Sequence, residues 1–159
     1  MTNEGKPYFP LFVDLSNQKI IVIGAGKIAK RRIKILSQFT SKLTVVGISA
    51  DREVKGLANE GKVILHERAY RSDDLKDSDI AIIATNNKEL NEEIWAICKK
   101  REILVNVASD KNKCDFHFPG IIKKENLVIG INAGGYDHAK AKSVRQEIER
   151  SLEEKEETI

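Results

Sequence analysis

The stretch Ile20–Ala29, IIVIGAGKIA, constrains this chain more than any other. Its four leading apolar residues run directly into Gly24-Ala25-Gly26, and Ala29 follows three positions later. This is the pattern of a buried parallel strand that turns tightly into a helix whose N-terminus can face a pyrophosphate. Gly24 permits the turn, Gly26 lets backbone approach phosphate because it has no Cβ, and Ala29 is small enough for close helix–strand packing. A G-x-G-x-x-A string also occurs in plain structural turns, but here it opens the first strand–helix junction, where a dinucleotide site needs it. The segment Gly24, Gly26, Lys27, Ile28 and Ala29 is therefore expected to hold a dinucleotide.

Composition narrows the remaining classes. The 159 residues suit one domain, or one domain with a small appendage. At 41% hydrophobic the chain can bury a core, and no apolar run approaches the roughly 18 residues of a membrane helix. The start, MTNEGKPYFPLF, lacks a basic region followed by an apolar core, so no secretory signal and no membrane association are expected. Cys98 and Cys114 are too few and too far apart for a disulfide framework or zinc motif, which points to a reducing cytoplasm. The net charge of +3 comes from interleaved acids and bases without an aromatic platform. That argues against nucleic acid and is compatible with a polyanionic small molecule.

Apolar runs alternate with amphipathic stretches along the chain. Strands are expected at Lys19–Ile23, Leu43–Ile48, Val63–His66, Asp79–Ala84 and Ile103–Val107. Helices are expected at Lys27–Phe39, with Ile28, Ile35 and Leu36 inward, at Asp51–Asn59, and at Glu89–Lys99, with Leu90, Ile94 and Ile97 inward. Near-continuously apolar strands separated by helices imply a Rossmann-type α/β fold, a doubly wound parallel sheet with its ligand at the carboxyl ends of the strands. The pattern changes after Val107. Phe116–Ile122 and Leu127–Asn132 read as a β-hairpin joined by Lys123-Lys124-Glu125-Asn126, followed by Gly134-Gly135 and a helix over Asp137–Glu153. The apolar face of that helix is thin: Ala139, Val144, Ile148 and Leu152. A hairpin and a sparse helix cannot form a core alone. The organisation expected is a nucleotide-binding domain over 1–113 and a dimerisation region over 114–159, with a frayed tail from Glu153.

Few residues stand out for chemistry. No acid ends the second strand, which reads Val46-Gly47-Ile48-Ser49, so the choice between NAD and NADP is open there. Thr85-Asn86-Asn87 follows the fourth strand and either lines a nicotinamide or makes an ordinary turn. Asp110 follows the fifth strand and is either a general base or a turn-capping residue. His117 alternates with Phe116 and Phe118, so on a strand it faces away from both. His66 and His138 form no metal-ligand spacing with it, and no metal site is expected. Trp95 and Tyr136 read as packing residues.

Several segments in order carry a resemblance. They are Tyr8-Phe9-Pro10-Leu11-Phe12-Val13-Asp14-Leu15, IIVIGAGKIAKRR, DIAIIATNNKELN, VNVASDKNKCDFHFPG and Asn132-Ala133-Gly134-Gly135. Together, over residues 8–150, they resemble the dehydrogenase module of siroheme synthase, the precorrin-2 dehydrogenase family. The resemblance implies oxidation of precorrin-2 to sirohydrochlorin with hydride passed to NAD, and in some members insertion of ferrous iron. It also implies a homodimer built through the hairpin region, with the tetrapyrrole between nucleotide and dimerisation domains. Lys111, Lys113, Lys123 and Lys124 suit a substrate rich in carboxylates. On this basis Thr85, Asn86 and Asn106 flank the nicotinamide, and Asp110 is the acid–base group.

Two departures qualify the match. The family's bifunctional members carry an acid three residues after the Asn of the N-V motif, where this chain has Ser109 and places Asp110 next. The usual Ser-Ser-Gly-Gly-Thr-Ser-Pro segment reads Asn132-Ala133-Gly134-Gly135-Tyr136-Asp137-His138. Both bear more on iron insertion than on hydride transfer, because a nicotinamide supplies the hydride chemistry itself. Many members continue into a further helical domain, and a short form ending at Ile159 is expected. The expected function is an NAD-dependent precorrin-2 dehydrogenase in the cytoplasm. The alternatives are a bifunctional dehydrogenase and ferrochelatase, or a non-catalytic module that binds a dinucleotide or tetrapyrrole.

Overall fold

A computed structural model describes residues 8–134 and 137–156. The strands are β1 (Ile20–Ile23), β2 (Leu43–Gly47), β3 (Ile64–Glu67), β4 (Ile80–Ile83), β5 (Leu104–Val107), β6 (Gly120–Lys124) and β7 (Leu127–Ile131). The α-helices are α1 (Lys27–Leu36), α2 (Arg52–Asn59), α3 (Lys88–Lys100) and α4 (His138–Glu156). Short 3-10 turns at Ser72–Leu75 and Lys111–Lys113 were not foreseen from the sequence. The described residues divide into two compact units, Val13–Phe116 and a second one in which residues 8–12 group with those described from His117 onward.

In the larger unit the first five strands form one parallel sheet in the order β3-β2-β1-β4-β5. Placing β1 between β2 and β4 makes the switch point of a doubly wound fold. The two central strands, β1 and β4, are buried throughout, as a strand covered on both faces must be. Alternation then sorts the side chains. Ile21, Ile23, Ala81, Ile83, Val105 and Val107 join Ile94 and Cys98 of α3 in one core cluster. Strand β3 is an edge, and Ile64 there is exposed rather than covered.

Helix α1 corrects the expected phase. Ala29, Ile33 and Leu36 are its buried residues, spaced four and three apart, and Ile28 is 59% exposed. The single exposed apolar residue beside a small buried alanine misled the periodicity reading, because Ala29 is inward only by virtue of close packing. The helix also ends at Leu36 rather than Phe39. Phe39 N–H donates to the Leu36 carbonyl at 2.9 Å in a tighter final turn.

The smaller unit holds the antiparallel pair β6–β7 and helix α4. The hairpin turn is Glu125-Asn126, with Glu125 at φ +49° and Lys124 opposite Leu127. A two-residue turn of this kind matches strand twist. The first strand begins at Gly120, not Phe116. Pro119 has no N–H to give a ladder and restricts Phe118, so pairing starts after it. His117 is accordingly not on a strand, and its ring lies 4.0 Å from that of Tyr8. Helix α4 continues to Glu156, beyond the expected end at Glu153. Among the described residues, no helix is long and apolar enough to cross a membrane.

Candidate functional site

The glycine turn sits where β1 ends at the middle of the sheet. Gly24 has φ +109°, and its N–H donates to the Val46 carbonyl at 2.8 Å. A Cβ on Gly24 would lie 2.7 Å from the Ala84 carbonyl carbon and 3.1 Å from the Thr85 nitrogen. Only glycine suits both the dihedral and the space. Gly47 of β2 is constrained by space alone, since a Cβ there would lie 2.8 Å from the Ala25 Cβ. The sequence reading passed over Gly47, although a glycine closing the apolar run LTVVG signals close backbone approach.

Gly26 is different. It caps α1 with φ −82°, an ordinary value, and a Cβ there would meet nothing within 4 Å. The space it leaves is open and faces the start of α1. No side chain caps that helix, and no acid occupies its first turn. Its first N–H groups therefore point outward without side-chain acceptors, next to the exposed Lys27 and Ile28, while Ala29 is fully buried against the sheet. An uncapped positive helix end behind a side-chain-free residue fits a dinucleotide pyrophosphate.

After β2 the chain returns to this turn. Asp51 N–H donates to the Ala25 carbonyl at 3.1 Å, and the Asp51 carboxylate caps α2 by accepting from Glu53 N–H at 2.9 Å. Lys30 of α1 reaches Asp51 at 3.2 Å and Glu53 at 3.0 Å, and Lys34 pairs with Glu53 at 2.5 Å. The Glu53 backbone N–H holds the Asp51 carboxyl below its usual range, and the Lys34 ammonium does the same to Glu53.

The ends of β4 and β5 lie on the other side. Thr85 is not a free hydroxyl. It accepts from Asn87 N–H at 3.1 Å and donates to Asn91 Oδ1, while Asn91 Nδ2 donates to the Thr85 carbonyl at 3.1 Å. Asn87 caps α3 by accepting from Leu90 N–H at 3.0 Å, and Asn86 is exposed at the tip. Asn106 is only 3% exposed. Its Oδ1 accepts from the Arg32 guanidinium, and its Nδ2 donates to the Phe116 carbonyl at 2.7 Å. Its amide is thus committed to protein partners at both ends.

Asp110 caps the 3-10 turn Lys111–Lys113, with Oδ1 accepting from Asn112 N–H at 3.0 Å and Oδ2 lying 3.9 Å from the Lys113 ammonium. Lys113 also pairs with Glu92 and sits 5.3 Å from the centre of the Trp95 ring. The returning segment then covers the free edge of β5. Asp115 N–H donates to the Val105 carbonyl at 2.8 Å, and Asp115 Oδ2 accepts from Val105 N–H at 2.9 Å. The Cys114 thiol donates to the Val107 carbonyl at 3.2 Å, and burial pushes its pKa up. The sequence showed Asp110 but not this return, because the bonds to β5 join residues whose spacing follows no period.

The structure thus brings Gly24, Gly47, Ala84 and Thr85 together at the switch point. Asn86 and Asp110 lie on the loops beyond β4 and β5. Gly135 and Tyr136 of the Asn132–His138 segment lie outside the described residues. Among the described residues, no three His, Cys, Asp or Glu side chains converge as a metal would require.

Comparison with known proteins agrees with this geometry. A family model described as putative NAD(P)-binding matches residues 11–120. The chain is 35% identical over 148 residues to a siroheme synthase of Pseudoalteromonas atlantica, covering 93% of this chain and 32% of that protein. It is 33% identical over 143 residues to a probable multifunctional siroheme biosynthesis protein HemA of Ruminiclostridium josui, covering 89% of this chain and 28% of that one. The chain thus spans about a third of the length of the curated relatives it matches. In fold it is similar to the solved structure of SirC, precorrin-2 dehydrogenase, with a TM-score of 0.74 and 23% identity over 91% of this chain and 71% of that one. The glycine turn and the switch-point sheet agree with the family match: the chain belongs to the putative NAD(P)-binding family.

Proposed function

We propose that this chain is an NAD-dependent precorrin-2 dehydrogenase that forms sirohydrochlorin and works in the cytoplasm as a homodimer. The observation that carries the reading is the open, uncapped start of α1 at Gly26, set at the switch point beside the ends of β4 and β5. Gly24, Gly26, Lys27, Ile28 and Ala29 would hold the pyrophosphate. Thr85 and Asn86 would border the nicotinamide end, Thr85 by shaping the turn through its bonds to Asn87 and Asn91. Asn106 would act there through the backbone it holds. Asp110, at the carboxyl end of β5, is the group proposed to move protons. When bound, the nicotinamide supplies a hydride acceptor, and the chain's task is orientation and exclusion of water.

The same geometry supports NAD over NADP. A 2′-phosphate needs a free cation near the end of β2. Lys30 and Lys34 of α1 are instead engaged by Asp51 and Glu53, and Asp51 itself is tied to the glycine turn. Converting Glu53→Lys removes that neutralisation. It is expected to shift the NADP-to-NAD affinity ratio at least tenfold toward NADP, about 1.4 kcal/mol, measured by titration of both reduced cofactors.

The decisive experiment mixes the intact chain with precorrin-2 and NAD and follows NADH and sirohydrochlorin by absorbance. Steady NADH formation is the expected result. A folded protein that binds NAD yet forms no NADH from precorrin-2 removes the dehydrogenase reading.

A further inference from the structure

We propose that Arg32 is a positioning residue for the reaction: it holds Asn106, and through Asn106 the Phe116 carbonyl, so that the segment carrying Asp110 keeps a single place relative to the glycine turn. The inference rests on the assignment of the glycine turn and Asp110 made above.

Arg32 lies on α1, one step before the buried Ile33, and is itself partly buried. Its guanidinium does not run out to water but crosses the sheet face to Asn106 on β5. Two strand spacings separate β1 from β5, about 10 Å in all, so a long side chain is needed. Burial lowers the pKa of this guanidinium, and a buried cation is retained at a cost that an apolar side chain of similar length would not carry. Space-filling alone therefore does not account for an arginine here, whereas the need for a donor does.

Asn106 shows what is donated to. It has the opposite strand parity to Val105 and Val107, which belong to the α3-side core. Its amide has one acceptor and one donor end, and each has a partner of the required kind. Turning the amide over would set its NH₂ against the guanidinium and its oxygen against the Phe116 carbonyl. Arg32 thereby fixes which way Asn106 points, and Asn106 fixes Phe116. The same return segment is independently tied to β5 through Asp115 and Cys114. Loss of Arg32 should therefore loosen the segment without unfolding the unit.

The test uses the full chain carrying Arg32→Met, Arg32→Lys or Asn106→Asp. Hydrogen exchange of the ligand-free protein reads the brace directly. In Arg32→Met, peptides covering residues 108–116 should exchange at least tenfold faster, while those covering β1 remain protected. With NAD and precorrin-2, NADH affinity should stay within about threefold while kcat falls on the order of 100-fold, as expected when a reacting group is misplaced by about 1 Å. Arg32→Lys keeps a cation and a donor and should recover most of kcat. Asn106→Asp keeps the partner for Arg32 but loses the donor to Phe116, so it should loosen the same segment even if Arg32→Met folds poorly. Unchanged exchange in 108–116 overturns the brace. Faster exchange with unchanged kcat overturns the positioning role. Faster exchange in a protein whose wild type forms no NADH leaves the brace standing and refutes the dehydrogenase reading instead.

Discussion

Gly24 and Gly26 look equivalent in the sequence, yet the structure asks opposite things of them. Gly24 combines a left-handed backbone with contact against the Ala84 carbonyl, so Gly24→Ala meets both strain and overlap. It should cost about 3 kcal/mol or more, read as a lower denaturant midpoint. Gly26→Ala has ordinary φ and open space, so stability should change by no more than about 0.5 kcal/mol. If the open space is the pyrophosphate site, Gly26→Ala should weaken NADH binding and Gly26→Asp should abolish it in a folded protein. Unchanged NADH affinity in Gly26→Asp would remove the dinucleotide site from this turn. Asn106 is the other residue-scale case: its amide is bonded to the Arg32 guanidinium and to the Phe116 carbonyl.

At the scale of elements, the connections between β3 and β4 and beyond β5 are held by side chains rather than by ladders. The 3-10 turn Ser72–Leu75 depends on Asp74, which takes two bonds from Arg68 at 2.7 and 2.8 Å and one from Arg71 N–H at 2.7 Å. The Arg68 guanidinium holds the Asp74 carboxyl below its ordinary value of 3.8. A carboxyl with a lowered folded-state pKa stabilises above its unfolded value and loses that contribution as pH falls through the folded one. Asp74→Asn should therefore cost about 1–2 kcal/mol at neutral pH. The difference from wild type should be flat above about pH 5 and shrink below pH 3.8, toward the lowered folded-state value. Urea titrations at several pH values read this, and a cost that stays constant through pH 3 would contradict the assignment. Helix α1 is the counter-case: its N-terminus has no side-chain cap, whereas Asn87 caps α3 and Asp51 caps α2. The one uncapped start among these three is the one beside the glycine turn.

At the scale of the molecule, the two units differ sharply in what they bury. The sheet unit supplies nearly every buried aliphatic side chain, and Ile122, at 3% exposure, is the one buried hydrophobic residue among those described beyond Phe116. One such side chain contributes about 1.5–3 kcal/mol, too little to hold a hairpin and a long helix. Leu127 and Val144 are exposed, and Ile148 and Leu152 are half-buried. We propose that a second copy covers them. Light scattering at tens of micromolar should give about twice the monomer mass, since association at that concentration needs only a modest affinity. Ile148→Glu should return the mass toward that of a monomer. A wild-type monomer under those conditions would exclude the homodimer.

The sheet and its order of strands and helices were legible in the chain because buried parallel strands must be apolar along their length. IIVI, LTVV and IAII announce themselves without reference to any partner. The glycine turn was legible for a related reason, since only glycine tolerates the backbone Gly24 adopts. Tertiary packing decided the rest. Which of Ile28 and Ala29 is inward depends on how closely α1 approaches the sheet, and the small residue won. The start of β6 was decided by Pro119, whose missing donor outweighs the aromatic alternation before it. The partner of the Asn106 amide oxygen is Arg32, 74 positions away in the chain. Local pattern reports what one element needs to bury, but a hydrogen-bonding side chain is defined by its partner. Only the folded chain brings that partner to it.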